Sequence, residues 1–272
     1  MIVTIDKVST TKYPLSKMGK KAGICWGADV SNLEKNIKRG IDCLSSGHGR
    51  LLEWVNIEMD ISEVSARCMR EYTRHIGGAS SFLQESTRYV DCEHFGYYKP
   101  YTENQADIKK VYDKAMTDIQ KAYGELVSLG MPKEDAANIL PLGMHTLITD
   151  KRNLRNFIEM SHQRLCTRAY KEYRSLMKLI LSELSKLSTE WDFIVKYVLI
   201  PKCEAADYCT EKKSCGIKPF KNSYNFSKED IDKVIESSPD DERRFRETDS
   251  YKGLELLWQK YLVSYPLQEG SI

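Results

Sequence analysis

A long amphipathic segment in the middle of the chain constrains the fold more than any other sequence feature. Between Asn104 and Leu129, apolar residues recur every three or four positions, and Gly130 follows as a helix stop; the apolar set is Ile108, Val111, Ala115, Ile119, Ala122 and Leu126. A long helix with one apolar face is stabilised mainly by packing that face against another layer. The segment therefore predicts a globular domain with long, packed helices.

A different periodicity precedes this segment. Val55, Ile57, Met59 and Ile61 alternate with polar residues, which predicts a half-buried strand over residues 54–61. Strand signals of this kind exclude an all-helical fold. A glycine-rich turn at residues 45–50 precedes this strand.

The residues after the strand are expected to form a helix and then a loop. Ser62 is a suitable N-cap for a helix that ends near His75, because two glycines follow it. Residues 77–89 are rich in Ser, Gly, Gln and Thr and are expected to be a polar loop. A second long helical region, with a possible break, is expected over residues 153–187.

These patterns predict an α+β fold with a mixed sheet and long helices. We expect one main domain over residues 1–216 and a helical C-terminal extension over residues 217–272, whose role the sequence does not indicate. Hydrophobic residues make up 41% of the 272 positions, which is enough apolar area for a sizeable core.

Charge and hydropathy exclude some classes of function. The 41 Lys and Arg residues nearly balance the 39 Asp and Glu residues, giving a net charge of +2, so the whole chain does not have the charge of a nucleic-acid-binding protein. No apolar run approaches the length of a membrane span, and the first residues lack the apolar core of a secretory signal. We therefore expect a cytoplasmic protein without nucleic-acid or membrane partners.

A cluster of charged residues precedes the polar loop. Arg67, Glu71, Arg74 and His75 are spaced so that they share one face of a helix. The backbone N–H groups of a Gly/Ser loop can bind anions, so this helix end together with the loop suits a phosphorylated ligand that carries a flat ring. The alternative is an ordinary solvated helix end.

A second cluster lies in the later helical region. Arg155 and Glu159 are four residues apart, as are Arg164 and Arg168, so two polar rows follow a helix that also has an apolar face. Surface salt bridges along a helix are the alternative explanation. Neither charged cluster alone identifies a function.

The cysteines in the later part of the chain are candidate metal ligands. Cys203, Cys209 and Cys215 have five residues between neighbours, and Cys166 could add a fourth thiol. This spacing differs from the paired cysteines of common zinc sites. Structural thiols or a redox-labile loop are favoured over a metal site, and no metal is predicted.

Several motifs, in the same order, resemble the flavin-dependent thymidylate synthase family, in its clostridial-type members, over roughly residues 20–216. They are the turn Gly47-His48-Gly49-Arg50-Leu51-Leu52-Glu53-Trp54, the pair Arg74-His75, the run Ser86-Thr87-Arg88-Tyr89, the segment over residues 126–142, the triplet Asn153-Leu154-Arg155, the helix segment Gln163-Arg164-Leu165-Cys166-Thr167-Arg168-Ala169 and the cysteine-bearing tail. Their separations also nearly match the family pattern.

The resemblance implies a homotetramer that reductively methylates dUMP to dTMP with FAD, methylenetetrahydrofolate and NADPH. On the family pattern, the catalytic residues are Arg164 and Ser86. The residues implied to bind the cofactor are His48, Arg50, Arg74, His75, Asn153, Arg155 and Glu159. Those implied to bind the substrate are Glu71, Arg74, Gln84, Glu85, Ser86, Thr87, Arg88 and Arg164.

Residue chemistry supports part of these roles. A guanidinium is permanently charged and binds planar acceptors in a fork, so Arg164 can hold the negative charge that develops on the pyrimidine ring. Ser86 is interpreted as a hydrogen-bonding neighbour of the ring, because no histidine lies close to it in sequence to activate it as a nucleophile.

The chain departs from the family pattern at five motif positions. Ile76 and Ala137 replace arginines, and Arg50, Glu71 and Glu159 stand where a serine, a glutamine and often an asparagine occur. These departures leave two alternatives open: a flavin-dependent pyrimidine nucleotide methylase or hydroxymethylase with an altered substrate, or a non-catalytic flavin- or nucleotide-binding relative.

The charge balance of a phosphate site changes with these departures. The loss of two cations weakens the binding of a dianion, and Arg50, Arg152 or Arg168 are candidates to replace them. A carboxylate at Glu71 is unfavourable near a phosphate unless Arg67 or Arg74 pairs with it.

Overall fold

The structure is a computed structural model that describes residues 1–76, 80–221 and 227–229. Residues Met1–Lys221 form one compact unit, and the chain from Asn222 onward is a separate unit of which only three residues are described. The predicted helical extension therefore lies almost entirely outside the described residues. Residues 77–79 of the predicted polar loop also lie outside them.

A four-stranded sheet forms the centre of the first unit. Its strands are β1 (Ile2–Ile5), β2 (Asn56–Ser65), β3 (Ser81–Gln84) and β4 (His145–Asn153), in the order β1-β2-β4-β3. All three strand pairs are antiparallel. The predicted α+β class with long helices is confirmed, whereas the prediction of a mixed sheet is wrong.

Nine α-helices accompany this sheet in the described ranges. They are α1 (Pro14–Cys25), α2 (Leu33–Ser45), α3 (Ala66–Tyr72), α4 (Ala106–Ser128), α5 (Lys133–Ala136), α6 (Leu154–Arg164), α7 (Lys171–Ser185), α8 (Thr189–Tyr197) and α9 (Lys202–Ala206). Short 3-10 helices cover Gly49–Trp54 and Ala137–Ile139. The predicted long central helix is α4, and the predicted break in the later region separates α6 from α7.

One face of the sheet carries the main core. Ile57, Met59 and Ile61 of β2 are at most 1% exposed and pack with Ile148 of β4 and with apolar side chains of α6, α7 and α8. The two-residue alternation read from the sequence therefore corresponds to real burial. None of the described helices is long and apolar enough to cross a membrane.

Helices α1 and α2 approach each other closely through two glycines. A Cβ added at Gly19 would lie 1.8 Å from the backbone oxygen of Asn36, and one added at Gly40 would lie 2.2 Å from the backbone oxygen of Leu15. Because only glycine fits such a contact, these two positions determine how closely the helix pair packs.

The structure corrects two boundaries predicted from the sequence. Strand β2 continues past Ser62 through an irregularity between Ile61 and Val64, where Glu63 has φ 55°, and Ser65 rather than Ser62 caps α3. The bulge shifts the pairing register, so a strict alternation ends before the strand does.

Within residues 77–89, the predicted polar loop contains the edge strand β3, which pairs with β4. Strand β4 itself was not predicted, and neither were α1 and α8.

Candidate active site

Two capped helix starts fix the positions of α3 and α6. The Ser65 hydroxyl accepts a hydrogen bond from the backbone N–H of Cys68 at 3.0 Å, and Ser65 donates from both its backbone N–H and its hydroxyl to the buried Glu172 carboxylate. The Asn153 side chain caps α6 by accepting from the backbone N–H of Asn156 at 2.9 Å. Both helices therefore leave the sheet in fixed directions.

Arg164, at the last position of α6, is bound by α3 and the residues after it. Its Nη1 donates to Glu71 Oε2 at 2.8 Å, its Nη2 lies 3.5 Å from the Glu71 backbone oxygen, and its Nε donates to His75 Nε2 at 2.9 Å. The guanidinium also lies over the ring of Tyr173, 4.9 Å from the centroid. These contacts hold a half-buried cation in one orientation, as a preorganised electrostatic catalyst requires.

This arrangement accounts for the carboxylate at Glu71. The sequence suggested Arg67 or Arg74 as its partner, whereas the structure pairs Glu71 with Arg164. Arg67 instead lies over the ring of Tyr170, at 5.3 Å. Arg74, which is predicted to bind both cofactor and substrate, is exposed and forms no ion pair with any described residue.

His75 is held in its neutral form. Burial, followed by the charges of Arg164 and Arg152, lowers the pKa of His75 from 6.5 to about 4. An arginine can only donate, so the Nε2 atom that accepts from Arg164 carries no proton and the imidazole proton is on Nδ1. The geometry and the pKa shift agree on this state.

A buried ion pair lies beneath this group and was not predicted from the sequence. Arg152 donates from Nη2 to Asp150 Oδ1 at 2.7 Å, and both residues are 1% exposed. The Tyr72 hydroxyl donates to the same carboxylate at 2.8 Å, and the guanidinium lies 4.7 Å from the Tyr72 ring centroid. Arg152 is therefore not a replacement phosphate ligand. Its alternation with Ile148 was the available signal that it faces the core.

A cationic turn lies at the start of α6. Glu53 accepts from Arg50 and from Arg155, each at 2.9 Å, which lowers the pKa of the Glu53 carboxyl. Both arginines remain more than half exposed, and the exposed His48 immediately precedes the 3-10 helix that carries Arg50. Three of the predicted cofactor ligands therefore share one surface, together with the N-terminus of α6.

The predicted substrate-binding residues 84–88 lie at the end of β3 and in the loop that follows it. Gln84, Glu85 and Thr87 line a cavity of about 490 Å³ between β3, β4 and the loop after β3. Arg88 forms an ion pair with Glu134 at the start of α5. Ser86 is half-buried, and its hydroxyl accepts a long hydrogen bond of 3.4 Å from the Arg88 backbone N–H.

A second cavity, of about 580 Å³, lies against the C-terminal half of α6. Its lining includes Glu159, Arg164 and the segment of residues 201–217. Arg168 forms an ion pair with Glu211 of that segment at 2.9 Å, so Arg168 is also engaged within the chain.

The four later cysteines line this second cavity. Burial, and then the neighbouring thiols of Cys166 and Cys209, raise the pKa of Cys203. In the described part of the chain, no three His, Cys, Asp or Glu side chains are grouped so that they could hold a metal ion.

Arg164 thus lines one cavity of the chain, whereas Gln84, Glu85 and Thr87 line another. Asn153, another predicted cofactor ligand, is 2% exposed and uses its side chain as a helix cap. The site implied by the resemblance is therefore divided within the monomer, and its predicted residue roles remain predictions.

Comparison with known proteins establishes the family. The family model for Thy1, the thymidylate synthase complementing protein, matches residues 8–188. The chain belongs to this family. Relatives of this chain carry the name flavin-dependent thymidylate synthase, so the family predicted from the motifs is confirmed. Its members are methyltransferase-type enzymes.

Three relatives illustrate the degree of similarity. The Nitratidesulfovibrio vulgaris enzyme is 29% identical over 191 residues, covering 66% of this chain and 76% of its own. The Pyrococcus abyssi enzyme is 28% identical, with 78% and 91% covered, and the Clostridium tetani enzyme is 28% identical, with 79% and 94% covered. Each is named flavin-dependent thymidylate synthase.

Solved structures of other proteins share the fold of this chain. The UMP/dUMP methylase PolB from Streptomyces cacaoi, bound with 5-Br dUMP, superposes with a TM-score of 0.60 at 16% identity, covering 73% of this chain and 97% of PolB. The flavin-dependent thymidylate synthase ThyX from Helicobacter pylori, complexed with FAD and dUMP, gives 0.57 at 17% identity, with 73% and 99% covered. At these identities the likeness shows the Thy1 fold alone.

Proposed function

We propose that this protein is an FAD-dependent thymidylate synthase that converts dUMP to dTMP, with methylenetetrahydrofolate as carbon donor and NADPH as reductant. The observation that carries the proposal is the fixed guanidinium of Arg164, held by Glu71 and His75 at a cavity wall, in a chain of the Thy1 family.

Arg164 supplies electrostatic stabilisation in this proposal. The C5 atom of a pyrimidine becomes nucleophilic only as negative charge builds on the ring, and a permanently charged planar donor stabilises that charge. Three of the five N–H groups of Arg164 are directed at Glu71 and His75, which leaves two for a substrate. The neutral His75 can accept a hydrogen bond without adding a competing positive charge.

The cationic turn fits the diphosphate of FAD. Arg50 and Arg155 are exposed guanidinium groups that share one carboxylate, and the start of α6 adds backbone N–H groups and the positive end of the helix dipole. With the exposed His48 immediately before the 3-10 helix that carries Arg50, these residues would hold the phosphates. Bound flavin would supply the hydride, while the protein positions and polarises the reactants.

The proposed site is completed by a second subunit. Within one chain, Arg164 lines one cavity, whereas Gln84, Glu85 and Thr87 line another. A homo-oligomer, in this proposal a tetramer, would bring residues 84–88 of one copy to the Arg164 of another. Ser86 and Arg88 would then contribute to nucleotide binding from the partner.

Product analysis tests this function. The full-length protein is incubated with FAD, NADPH, methylenetetrahydrofolate and dUMP, and the nucleotide product is identified by mass. We expect dTMP, and we expect Arg164→Ala to reduce its formation by about 10²- to 10³-fold, the usual cost of losing one preorganised donor. Arg70→Ala, an exposed substitution on α3, is the matched control and should be silent.

Two results would contradict the proposal. Flavin-loaded protein that forms no dTMP would reject thymidylate synthesis. Undiminished turnover by Arg164→Ala would reject the role of the guanidinium.

A second candidate function is favoured by the altered motif positions. Ile76, which is 67% exposed, and Ala137, which begins a 3-10 helix, have uncharged side chains. Neither position therefore supplies a cation for a nucleotide phosphate. A flavin-dependent pyrimidine nucleotide methylase or hydroxymethylase with another substrate is therefore the alternative. Parallel reactions with UMP and dCMP separate the two, because the mass of each product reports both the base and the group added.

A further inference from the structure

Tyr173, in the first turn of α7, packs its ring against the candidate site and leaves its hydroxyl unused. The side chain is fully buried, and within the described residues its hydroxyl has no hydrogen-bond partner. A buried hydroxyl without a partner costs stability, and phenylalanine would fill the same space without that cost. The contribution of Tyr173 to the site therefore comes from its ring.

The ring contacts both the cation of the site and the histidine that this cation binds. Its centroid lies 4.9 Å from the guanidinium carbon of Arg164 and 6.3 Å from the ring centroid of His75, with the two rings at 73°. Tyr72 packs against the same ring at 5.6 Å. Burial raises the pKa of the Tyr173 hydroxyl, so the ring is neutral and its contact with Arg164 is a cation–π interaction.

The ring and the hydrogen-bonding partners restrain the guanidinium in different ways. Glu71 and His75 accept from N–H groups, which lie in the guanidinium plane, whereas the ring of Tyr173 packs against the group without a hydrogen bond. The Arg164 side chain is only 16% exposed. A cation–π contact is stronger in such a partly dehydrated place, and a less hydrated cation acts more strongly on a nearby anion.

The same turn of α7 also fixes the helix that supplies Glu71. Glu172 precedes Tyr173 and is 1% exposed, and its carboxylate accepts from the backbone N–H and the hydroxyl of Ser65, the N-cap of α3. Glu71 lies near the other end of α3. Two consecutive residues of α7 thus hold α3 by its cap and the cation by an aromatic ring.

We propose that Tyr173 is a positioning residue for Arg164, whose ring holds the guanidinium at the cavity wall with its two free N–H groups available to the nucleotide. This inference rests on the proposed function for its effect on turnover, whereas the placement of the guanidinium is measurable without turnover. The hydroxyl has no part in this role. Phenylalanine should therefore replace Tyr173, and an aliphatic side chain should not.

The kinetics of three variants test the role in turnover. Tyr173→Phe keeps the ring, and Tyr173→Met replaces it with a flexible apolar side chain that fills irregular space. Tyr123→Met is the matched control, because Tyr123 is 1% exposed and belongs to a separate core cluster. We expect Tyr173→Met to lower kcat for dTMP formation about 5- to 30-fold, the range of a partly dehydrated cation–π contact. KM for dUMP should stay close to that of the wild type, since charge builds on the pyrimidine only as the reaction proceeds.

The two other variants separate the ring from the hydroxyl and from stability. Tyr173→Phe and Tyr123→Met should keep the wild-type kcat, although both methionine variants should melt at lower temperature. Wild-type kcat in Tyr173→Met, or an equal loss of kcat in Tyr173→Phe, would overturn the role of the ring. An equal loss in Tyr123→Met would also overturn it, because general destabilisation would then account for the effect.

Nuclear magnetic resonance of the full chain with isotope-labelled arginine tests the placement itself. The Nε–H proton of Arg164, assigned by its absence from Arg164→Lys, should be shifted upfield by the ring and protected from exchange by its bond to His75. Tyr173→Phe should keep both properties, and Tyr173→Met should lose the upfield shift and exchange faster. If Tyr173→Met does not fold, the wild type still decides, since an unshifted Arg164 signal overturns the placement.

The two measurements together separate this inference from the proposed function. If no dTMP forms but the spectra change as expected, the proposed function fails and the placement of Arg164 by Tyr173 stands. If dTMP forms and Tyr173→Met matches the wild type in spectrum and kcat, only the positioning role fails.

Discussion

Removing Asp150 should destabilise the fold severely, because it would leave an uncompensated charge in the core. Arg152 is 1% exposed, and its Nε and Nη2 both donate to Asp150. In Asp150→Ala the guanidinium loses both bonds, and the Tyr72 hydroxyl loses its acceptor. Breaking a buried pair by deleting one partner costs about 3–5 kcal/mol. A domain of this size has a total stability of only about 5–15 kcal/mol.

The assay is urea unfolding followed by tryptophan fluorescence, supported by thermal melts. At roughly 2–4 °C per kcal/mol, the melting temperature should fall by about 6–20 °C. Lys151→Ala is the matched control on the same strand, because its ion pair with Glu58 is long, at 3.9 Å, and exposed; it should change stability by less than about 0.5 kcal/mol. The double variant Asp150→Ala/Arg152→Met should recover part of the loss.

The outcome also bears on the candidate site. Tyr72 is the last residue of α3, between Glu71 and the loop that holds His75, and its hydroxyl bond to Asp150 ties that helix to the sheet. An Asp150→Ala variant within about 1 kcal/mol of the wild type would refute the view that a buried charge pair supports the Arg164 partners.

Three further outcomes are expected. Glu71→Gln removes a negative charge close to the proposed nucleotide site, so dUMP should bind about fivefold more tightly by titration, as one charge facing a dianionic phosphate at roughly 8 Å in a medium of high dielectric suggests; weaker binding would mean that Glu71 contacts the nucleotide itself. His75 has a folded pKa of about 4, below its usual 6.5, so the unfolded chain binds more protons between these values and stability should drop as the pH falls from 6.5 to 4; His75→Gln should reduce that slope in urea midpoints, and an identical slope would contradict the assigned state. Gly19→Ala places a methyl group 1.8 Å from a backbone oxygen of α2 and should cost more than about 2 kcal/mol in the same unfolding assay, and a neutral result would contradict the close helix contact.

The elements that follow one periodicity were predictable. The long helix α4 and the alternating part of β2 follow from hydrophobic spacing alone. Strand β4 could not be predicted from hydrophobic spacing, because its buried face carries Thr146, Asp150 and Arg152, while the apolar Leu147 is 43% exposed. Burial of these polar groups depends on partners from other elements, which a single segment does not reveal.

The candidate site was predictable only in part. Helical spacing put Glu71 and His75 on one face, and the structure brings both to Arg164. The choice of partner was missed, since Arg164 lies about ninety positions further along the chain, and pairing at that separation depends on the fold. Within the described residues, one chain does not bring Ser86 and Arg164 into one cavity.

The most direct measurement of the central claim is the visible spectrum of the FAD-loaded protein during titration with dUMP. We predict that dUMP perturbs the flavin absorbance saturably in the wild type, and that the perturbation is lost in Arg164→Ala although flavin remains bound. A flavin spectrum that does not respond to dUMP, or one that responds equally in both proteins, would contradict the claim that Arg164 faces the nucleotide beside the flavin.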